Sequence, residues 1–315
     1  MLSRVANRIY WMARYLERAE NMARLVNVNA HLLLDLPQRV TVGWRSLVEI
    51  LGSEDLFEKL HDEYDEQSVL RFLIGEQKYP SSIISVLAGA RENARTIRDI
   101  IPREAWEQIN ELYLNARKQL QSAYGQRKRY DYLNSIILGN QQITGLLAGT
   151  MNHDVAYDFL RIGRNLERSD MTTRIIDVRS ADLLPVEGDL SPFENIQWMS
   201  VLKSLTAYQM YRREVRLQVR RADVIAFLFR DQRFPRAVYH CLCTVADCLQ
   251  RLPHNEDALR QVGHLQRMIS DLKPEAIDQQ QLHRLIDDYQ HGVAELDGLL
   301  AATYFWTGAR AEATH

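Results

Sequence analysis

Cysteine is scarce in this chain of 315 residues, which has three of them, Cys241, Cys243 and Cys248. An odd number of cysteines within one short stretch excludes the paired framework of a disulfide-stabilised secreted domain. Small thiol side chains at this spacing are typical of a helix face that packs into a core. The cysteine pattern therefore predicts structural thiols and a cytoplasmic protein.

Long apolar runs are also missing from the sequence. No stretch approaches the roughly 20 apolar residues that a membrane-spanning helix needs, and the N-terminal segment MLSRVANRIYW has no apolar signal core. The net charge of −2 provides no electrostatic basis for binding nucleic acid or an anionic membrane. We therefore expect neither nucleic acid nor a membrane among the partners of this protein.

Glycine and proline, with 14 and 8 residues, are few and fall between segments of helical periodicity. Within those segments apolar residues recur at the spacing of an amphipathic helix, and no stretch alternates with period two for long enough to make a strand. The longest predicted helices cover residues 2–35, 153–181, 192–221 and 275–305. The sequence therefore predicts an all-α fold.

Two segments of the chain resemble each other at a shift of 150 residues, RYLERAENMARLVNV at 14–28 and RNLERSDMTTRIIDV at 164–178. A repeat of this length is far longer than the periods of solenoid proteins. We therefore predict a helical bundle made of two tandemly duplicated, pseudo-symmetric helical halves, residues 1–150 and 151–315.

Further matches occur in the same order along both halves. Trp44 matches Trp198 at a shift of 154, and Tyr79 matches Phe234 at a shift of 155. Tyr79 and Phe234 are each followed by proline. Proline in a first helical turn fixes the direction of the chain, and the aromatic residue before it can pack against the new helix. We predict equivalent, purely architectural corners at these two positions, with no part in any site.

The residues that the two repeated segments share are mostly charged. Each helix has an apolar face opposite its charged face, as any amphipathic helix does. In the second copy the apolar face has changed at several positions while the charges stay, although a solvated surface should change faster than a core. The charged faces therefore either pair with each other across the pseudo-twofold axis or line a shared polar cleft. The candidate ligand- or partner-binding residues are Arg14, Glu17, Arg18, Glu20, Arg24, Arg164, Glu167, Arg168, Asp170 and Arg174.

Four further polar residues are secondary candidates. Asn93, Arg95 and Arg98 lie on one predicted helix, and arginine suits the recognition of carboxylates or phosphates. The expectation for Arg95 and Arg98 is nevertheless that they bind acidic residues of neighbouring helices. His153 precedes the second long helix, where the simplest role is in the structure of the helix N-terminus.

The sequence has no motif for a nucleotide or a metal. Neither G-x-x-x-x-G-K-[ST] nor G-x-G-x-x-G occurs. Carboxylate-bridged di-iron centres in helical bundles need Glu-x-x-His pairs on two helices, and the pair Glu58 and His61 on a short predicted helix has no counterpart at the repeat shift. We therefore expect no cofactor and no metal site.

Three segments of the chain resemble the bacterial alpha-E domain family, also called DUF403: LSRVANRIYWMARYLERAENMARLVNV, RENARTIRDIIPREAWEQIN and FLRIGRNLERSDMTTRIIDV. The resemblance covers essentially the whole chain and implies an all-α domain with a prominent glutamate, which fits Glu17 and Glu167. Genes of this family are commonly found beside circularly permuted ATP-grasp ligases and transglutaminase-like cysteine peptidases. The resemblance thus implies partners of these two kinds and a role in forming or modifying amide or peptide bonds.

Three functions remain open at the level of the sequence. The first is a helical partner of an ATP-grasp-type ligase, with the Glu/Arg face binding a carboxylate-bearing ligand or the partner. The second is an enzyme of amide or peptide chemistry with Glu17 or Glu167 as general base. The third makes the charge cluster purely structural. A glutamate among arginines has a lowered pKa and is a weak base near neutrality, which favours binding over catalysis.

Overall fold

The computed structural model describes residues 3–35, 43–181, 191–215 and 218–305, and these parts contain helices and no β-strand. The helices up to residue 150 are α1 (Ser3–Asp35), α2 (Arg45–Ile50), α3 (Glu54–Glu58), α4 (Glu66–Leu70), a π-helical turn (Arg71–Gly75), α5 (Ile83–Thr96), α6 (Arg103–Lys118), α7 (Leu120–Ala123) and α8 (Gln126–Thr150). The later ones are α9 (Val155–Ala181), α10 (Ser191–Ser204), α11 (Tyr208–Val215), α12 (Arg221–Arg230), α13 (Val238–Leu249), α14 (Glu256–Ser270) and α15 (Gln279–Tyr304). The all-α prediction is confirmed. None of the described helices is both long and apolar enough to cross a membrane.

Short acidic side chains fix where two of the longest helices begin. At the start of α15, Asp278 accepts from the backbone N–H of Gln281 at 2.7 Å, and the Gln281 side chain accepts from the backbone N–H of Asp278 at 3.1 Å. This reciprocal arrangement satisfies two backbone donors that the first helical turn leaves unpaired. Before α9, Asp154 accepts from the backbone N–H of Ala156 at 2.9 Å. The second long helix therefore starts at a defined residue.

The predicted helix over 192–221 is wrong in its extent, because the chain turns between α10 and α11. Thr206 has a φ of 55°. Its backbone N–H donates to the carbonyl oxygen of Lys203 at 3.0 Å, and the backbone N–H of Ala207 donates to the carbonyl oxygen of Leu202 at 2.7 Å. These two bonds are those of a Schellman C-cap, whose left-handed residue is usually glycine. A threonine in this conformation carries strain of about 1–3 kcal/mol.

The two long helices α1 and α9 lie side by side and run in the same direction. Arg14 and Glu17 of α1 bind residues of α9 that are 153 and 151 positions further along the chain. When the sequence separation between contacting residues stays nearly constant along two helices, the helices are parallel. Their backbones touch at Gly163, where an added Cβ would lie 2.4 Å from the carbonyl oxygen of Tyr10. Only glycine therefore permits this approach.

The other helices pack around this central pair. Helix α1 contacts α5 and α8, whereas α9 contacts α13 and α15. The buried apolar side chains of both halves form one continuous core. The predicted boundary near residue 150 coincides with the turn between α8 and α9, but the halves share their packing, so the division into two halves stays a prediction.

The two aromatic-proline corners have similar surroundings. Tyr79 is 4% exposed and stacks on Phe72 at a ring distance of 4.2 Å, while Phe234 is 7% exposed and stacks on Phe227 at 5.0 Å. Each aromatic residue thus packs on a phenylalanine seven positions earlier in its own half. An overlay of the two halves remains the test of the duplication.

Candidate functional site

Glu17-Arg18 of α1 and Glu167-Arg168 of α9 bind each other crosswise. Arg168 donates through Nε and Nη2 to the two carboxylate oxygens of Glu17 at 2.9 and 2.8 Å. In the opposite direction, Arg18 donates through Nε and Nη2 to Glu167 at 2.5 and 2.9 Å. Glu17 and Glu167 are 3% and 1% exposed, so both bidentate pairs are buried. The charged faces of the two long helices therefore pair with each other.

The parallel course of α1 and α9 explains this crossed arrangement. Each helix presents the same Glu-Arg dipeptide at the same height, and neighbouring residues on a helix point about 100° apart. The glutamates lie in the interface, whereas the side chains of Arg18 and Arg168 remain 21% and 14% exposed as they reach across it. A buried carboxylate is tolerated only when it is paired. The two pairs therefore fix the register of the helices.

Around Glu167, positive and negative charges are equal in number. Arg14 donates through Nε to Glu167 at 2.9 Å and through Nη1 to Asp297 of α15 at 3.0 Å. One helical turn further along α9, Arg174 binds Asp170 at 2.9 Å. The six members of this group, which we call the balanced end, are Arg14, Arg18, Arg174, Glu167, Asp170 and Asp297. Its three guanidiniums meet three carboxylates, so it needs no further anion.

Around Glu17 the charges are unequal. Arg236, in the turn before α13, donates through Nη1 to Glu17 at 2.9 Å and through Nη2 to Glu20 at 2.7 Å. Arg24 binds the same oxygen of Glu20 at 2.8 Å. The six members of this group, which we call the cationic end, are Arg24, Arg164, Arg168, Arg236, Glu17 and Glu20. Four guanidiniums meet two carboxylates there, leaving two positive charges in excess.

Arg164 is the member of the cationic end with the fewest partners. Its Nε atom is buried without a hydrogen-bond partner among the described residues, as is Oδ1 of Asn140 on α8. Both side chains line a cavity of about 10 Å³ between α1, α8 and α9, which is wide enough for one water molecule. Glu20 belongs to the wall of this cavity too. The excess positive charge thus extends into the helix interface.

Two arginines of the cationic end have lowered pKa values. Burial lowers the pKa of Arg236 and of Arg164, and the charge of Arg168 adds to that effect. Burial of Glu17 opposes its ionisation, but Arg168 and Arg236 outweigh it and hold its pKa at about 2. The pKa of Glu167 is also lowered, because Arg18 and Arg14 outweigh the effect of burial. Both glutamates are therefore anions at neutral pH. At the cationic end the burial of Arg168 is outweighed by Glu17, which raises the pKa of Arg168, whereas the charges of Arg164 and Arg236 are compensated less well.

A cleft of about 380 Å³ opens beside the cationic end. Three of its arginines, Arg24, Arg168 and Arg236, form part of the wall together with Glu20. The rest of the wall is uncharged and consists of Gln141, Thr144, Gly145, Leu205, Thr206, Phe234 and Pro235. The excess of positive charge therefore faces a space of the size that small-molecule sites have.

The dipeptide Glu-Arg occurs in this chain twice, at 17–18 and at 167–168. A sequence model of the protein family described as a predicted alpha-helical domain with a conserved ER motif matches residues 1–305. The chain belongs to the Alpha-E family. Both Glu-Arg dipeptides of this Alpha-E protein form the crossed ion pairs between α1 and α9.

Relatives of this Alpha-E protein include an uncharacterised protein of Mycobacterium bovis and two uncharacterised proteins of Mycobacterium tuberculosis. Each is 23% identical over 288 residues, which cover 85% of this chain and 31% of the relative. The chain thus spans about a third of the length of these curated relatives. No solved structure is significantly similar to it.

The structure brings the ten primary candidates of the Alpha-E chain together in one cluster and adds residues that the sequence did not indicate. Arg236 and Asp297 supply a cation and an anion to the two ends. Phe234 and Pro235, predicted to be purely architectural, lie in the wall of the cleft. The one signal for Arg236 was its position directly after this repeated aromatic-proline pair.

The secondary candidates lie elsewhere. Asn93 accepts a hydrogen bond from Arg8 at 2.9 Å, and His153 stacks on Tyr157 at a ring distance of 4.0 Å. The expectation that Arg95 and Arg98 bind acids of neighbouring helices is wrong. Arg95 binds Glu92 of its own helix, and Arg98 donates to the backbone oxygen of Arg95. An acid three residues away on the same exposed helix face is within easier reach than one on another helix. None of the four lines the cleft.

Proposed function

We propose that this Alpha-E protein is a non-catalytic helical partner of an ATP-grasp-type amide or peptide ligase, and that its cleft holds a carboxylate-bearing ligand. The observation that carries the proposal is the inequality of charge at the cationic end, where four guanidiniums meet two carboxylates. Buried charges without partners are costly. An anion in the cleft supplies the missing partner.

Arg24 is the residue best placed to hold that anion. Its Nε and Nη2 atoms donate to Glu20, while Nη1 donates to no group of the described residues. The free end of a guanidinium matches the two oxygens of a carboxylate, and such charge-assisted pairs are stronger than neutral hydrogen bonds. Arg168 and Arg236 contribute positive charge from the other walls of the cleft.

Catalysis by the glutamates is the weaker alternative. With a pKa of about 2, Glu17 is a poor acceptor of protons near neutral pH, and its oxygens already accept from Arg168 and Arg236. Nucleophilic chemistry by the cysteines is no better supported. Burial raises the pKa of Cys241 to about 12 and that of Cys248 to about 11, so both thiols stay protonated.

A purely structural role suits the balanced end alone. There the carboxylates of Glu167, Asp170 and Asp297 pair with an equal number of arginines. Such a group holds α1, α9 and α15 together without requiring any ligand. The cationic end differs from it in charge and in facing a cleft, which is why we assign binding to that end.

The partnership with a ligase rests on the resemblance to the alpha-E domain family and the neighbouring genes that it implies. The mycobacterial relatives add a second line of support, because the matching region fills only 31% of each of them. In those proteins the region similar to this chain thus shares one polypeptide with further sequence that makes up about two thirds of the length. A helical unit that works beside a second protein unit fits this occurrence.

Reconstitution with an ATP-grasp ligase from the same organism tests the proposal. We expect the ligase to co-purify with this protein and to form amide bonds faster in its presence. The Arg24→Gln variant should bind the ligase but stimulate it less. Arg174→Gln, which changes the corresponding arginine of the balanced end, is the matched control and should stimulate normally. A ligase that neither binds this protein nor changes its rate would contradict the partnership.

A further inference from the structure

The turn at Thr206 has a counterpart in the first half of the chain. At the end of α2, Gly52 has a φ of 57°. The backbone N–H of Gly52 donates to the carbonyl oxygen of Glu49 at 2.9 Å, and that of Ser53 donates to the carbonyl oxygen of Val48 at 3.3 Å. This is the same pair of hydrogen bonds that closes α10 around Thr206. The two residues are 154 positions apart, the shift that relates Trp44 to Trp198.

The two turns differ in the residue that occupies the left-handed position. Gly52 adopts this conformation without steric cost, whereas a β-branched residue such as Thr206 rarely does. The backbone of this turn therefore gives no reason for threonine in the second half. What sets Thr206 apart from Gly52 is its side chain.

Thr206 lies at the cleft. Thr206 forms part of its wall together with Arg24, Arg168 and Arg236. In the first half, a Cβ added to Gly52 would lie 3.8 Å from Nη1 of Arg174, at the balanced end. A side chain at the turn of Gly52 would thus contact Arg174, and Thr206 and Arg24 occupy the corresponding positions of the second half and of α1. Of the two turns, the one at Thr206 carries a residue with a hydroxyl group.

Glu20, another residue of this wall, has a carboxylate oxygen without a donor in the described part of the chain. Its Oε1 accepts from Arg24 and Arg236, whereas no group of the described residues donates to its Oε2. A ligand that presents only a carboxylate leaves this oxygen unused. A ligand with an ammonium or amide N–H beside its carboxylate uses it, because that N–H donates to an acceptor while the carboxylate binds the arginines.

We propose that the cleft takes an amino acid or an amino-acid-like end of a peptide, and that Thr206 is one of the residues that select it. The carboxylate binds the arginines of the cationic end, and the neighbouring N–H donates to Oε2 of Glu20 and to the hydroxyl of Thr206. This inference rests on the proposed binding of a carboxylate-bearing ligand and adds the chemical class of that ligand. The strained conformation of Thr206 is retained because it places the hydroxyl in the cleft.

Calorimetric titration with two probes tests the inference. L-Glutamate and glutarate have the same carbon chain and two carboxylates, and only L-glutamate has the ammonium group. We expect the wild-type protein to bind L-glutamate more tightly than glutarate. In Thr206→Gly, the affinity for L-glutamate should fall about three- to tenfold through the loss of one hydrogen bond, while that for glutarate stays the same. Thr206→Ser keeps the hydroxyl and should retain the preference.

Thermal unfolding of the same variants separates a binding role from a structural one. Because glycine removes the strain at this turn, Thr206→Gly should unfold about 1–3 °C above the wild type. A variant that is more stable and binds L-glutamate less well matches the inference. Equal affinity of the wild type for both probes, or an unchanged preference in Thr206→Gly, would overturn it. Binding of neither probe by the wild type would instead overturn the proposed anion site itself.

Discussion

Glu17→Ala lowers the free energy of unfolding by about 3–5 kcal/mol, the cost of breaking a buried ion pair from one side. Glu17 accepts from Arg168 and Arg236 in the interface of the two long helices. Without it, Glu20 alone remains to compensate the four guanidiniums of the cationic end. The difference is measured by chemical denaturation of the variant and the wild type.

Glu58→Ala is the matched control for this prediction. Glu58 is an exposed glutamate that accepts one hydrogen bond from Tyr64 at 3.0 Å, so its loss should cost no more than about 1 kcal/mol. If both variants unfold at the same denaturant concentration, the charged interface does not contribute to stability in the way that its burial implies.

Gly163→Ala destabilises the protein by about 1–3 kcal/mol, because the methyl group meets backbone and not a movable side chain. The added Cβ would lie 2.4 Å from the carbonyl oxygen of Tyr10. Helices α1 and α9 must separate to admit it, which also lengthens the crossed pairs of Glu17 and Glu167. Denaturant-induced unfolding of the variant measures the loss.

Gly298→Ala is the matched control, for which we expect a gain of stability in the same unfolding experiment. Gly298 lies inside α15, and an added Cβ there meets nothing within 4 Å. Alanine favours a helix over glycine by about 0.5–1 kcal/mol, so this variant should be more stable than the wild type. A Gly163→Ala variant that gains stability equally would show that α1 and α9 are further apart than the structure has them.

Much of the fold follows from the periodicity of the sequence. The turn between α10 and α11, which the predicted helix over 192–221 missed, shows where periodicity fails. The pattern over 192–221 continues through the turn, and the residue at that turn is threonine, not the glycine that usually ends a helix. At Gly52 the same turn carries its usual residue. Rules that read a helix end from the sequence assume that each residue prefers the backbone conformation it has in the fold. At Thr206 the preferred and the observed conformations differ.

The charged cluster was predictable because the two copies agree in it. Glu17 and Glu167 stand out when the repeats are aligned, and the structure places both in one interface. Arg236 was not predictable in this way, because its counterpart in the first half is Ser81, one residue after Pro80. An alignment of the two repeats reveals the residues that they share, and Arg236 is a residue in which they differ. Arg236 supplies one of the two excess charges of the cationic end.

The central claim is that the cationic end binds an anion and the balanced end does not. Calorimetric titration of glutarate into the wild type, Arg24→Gln and Arg174→Gln tests it most directly, because the two arginines occupy corresponding positions of the repeat. We expect one glutarate per wild-type chain, an unchanged affinity in Arg174→Gln, and an affinity about 10- to 100-fold lower in Arg24→Gln, as the loss of a charge-assisted hydrogen bond predicts. A wild-type protein that binds no glutarate, or two variants with equal affinities, would contradict the claim.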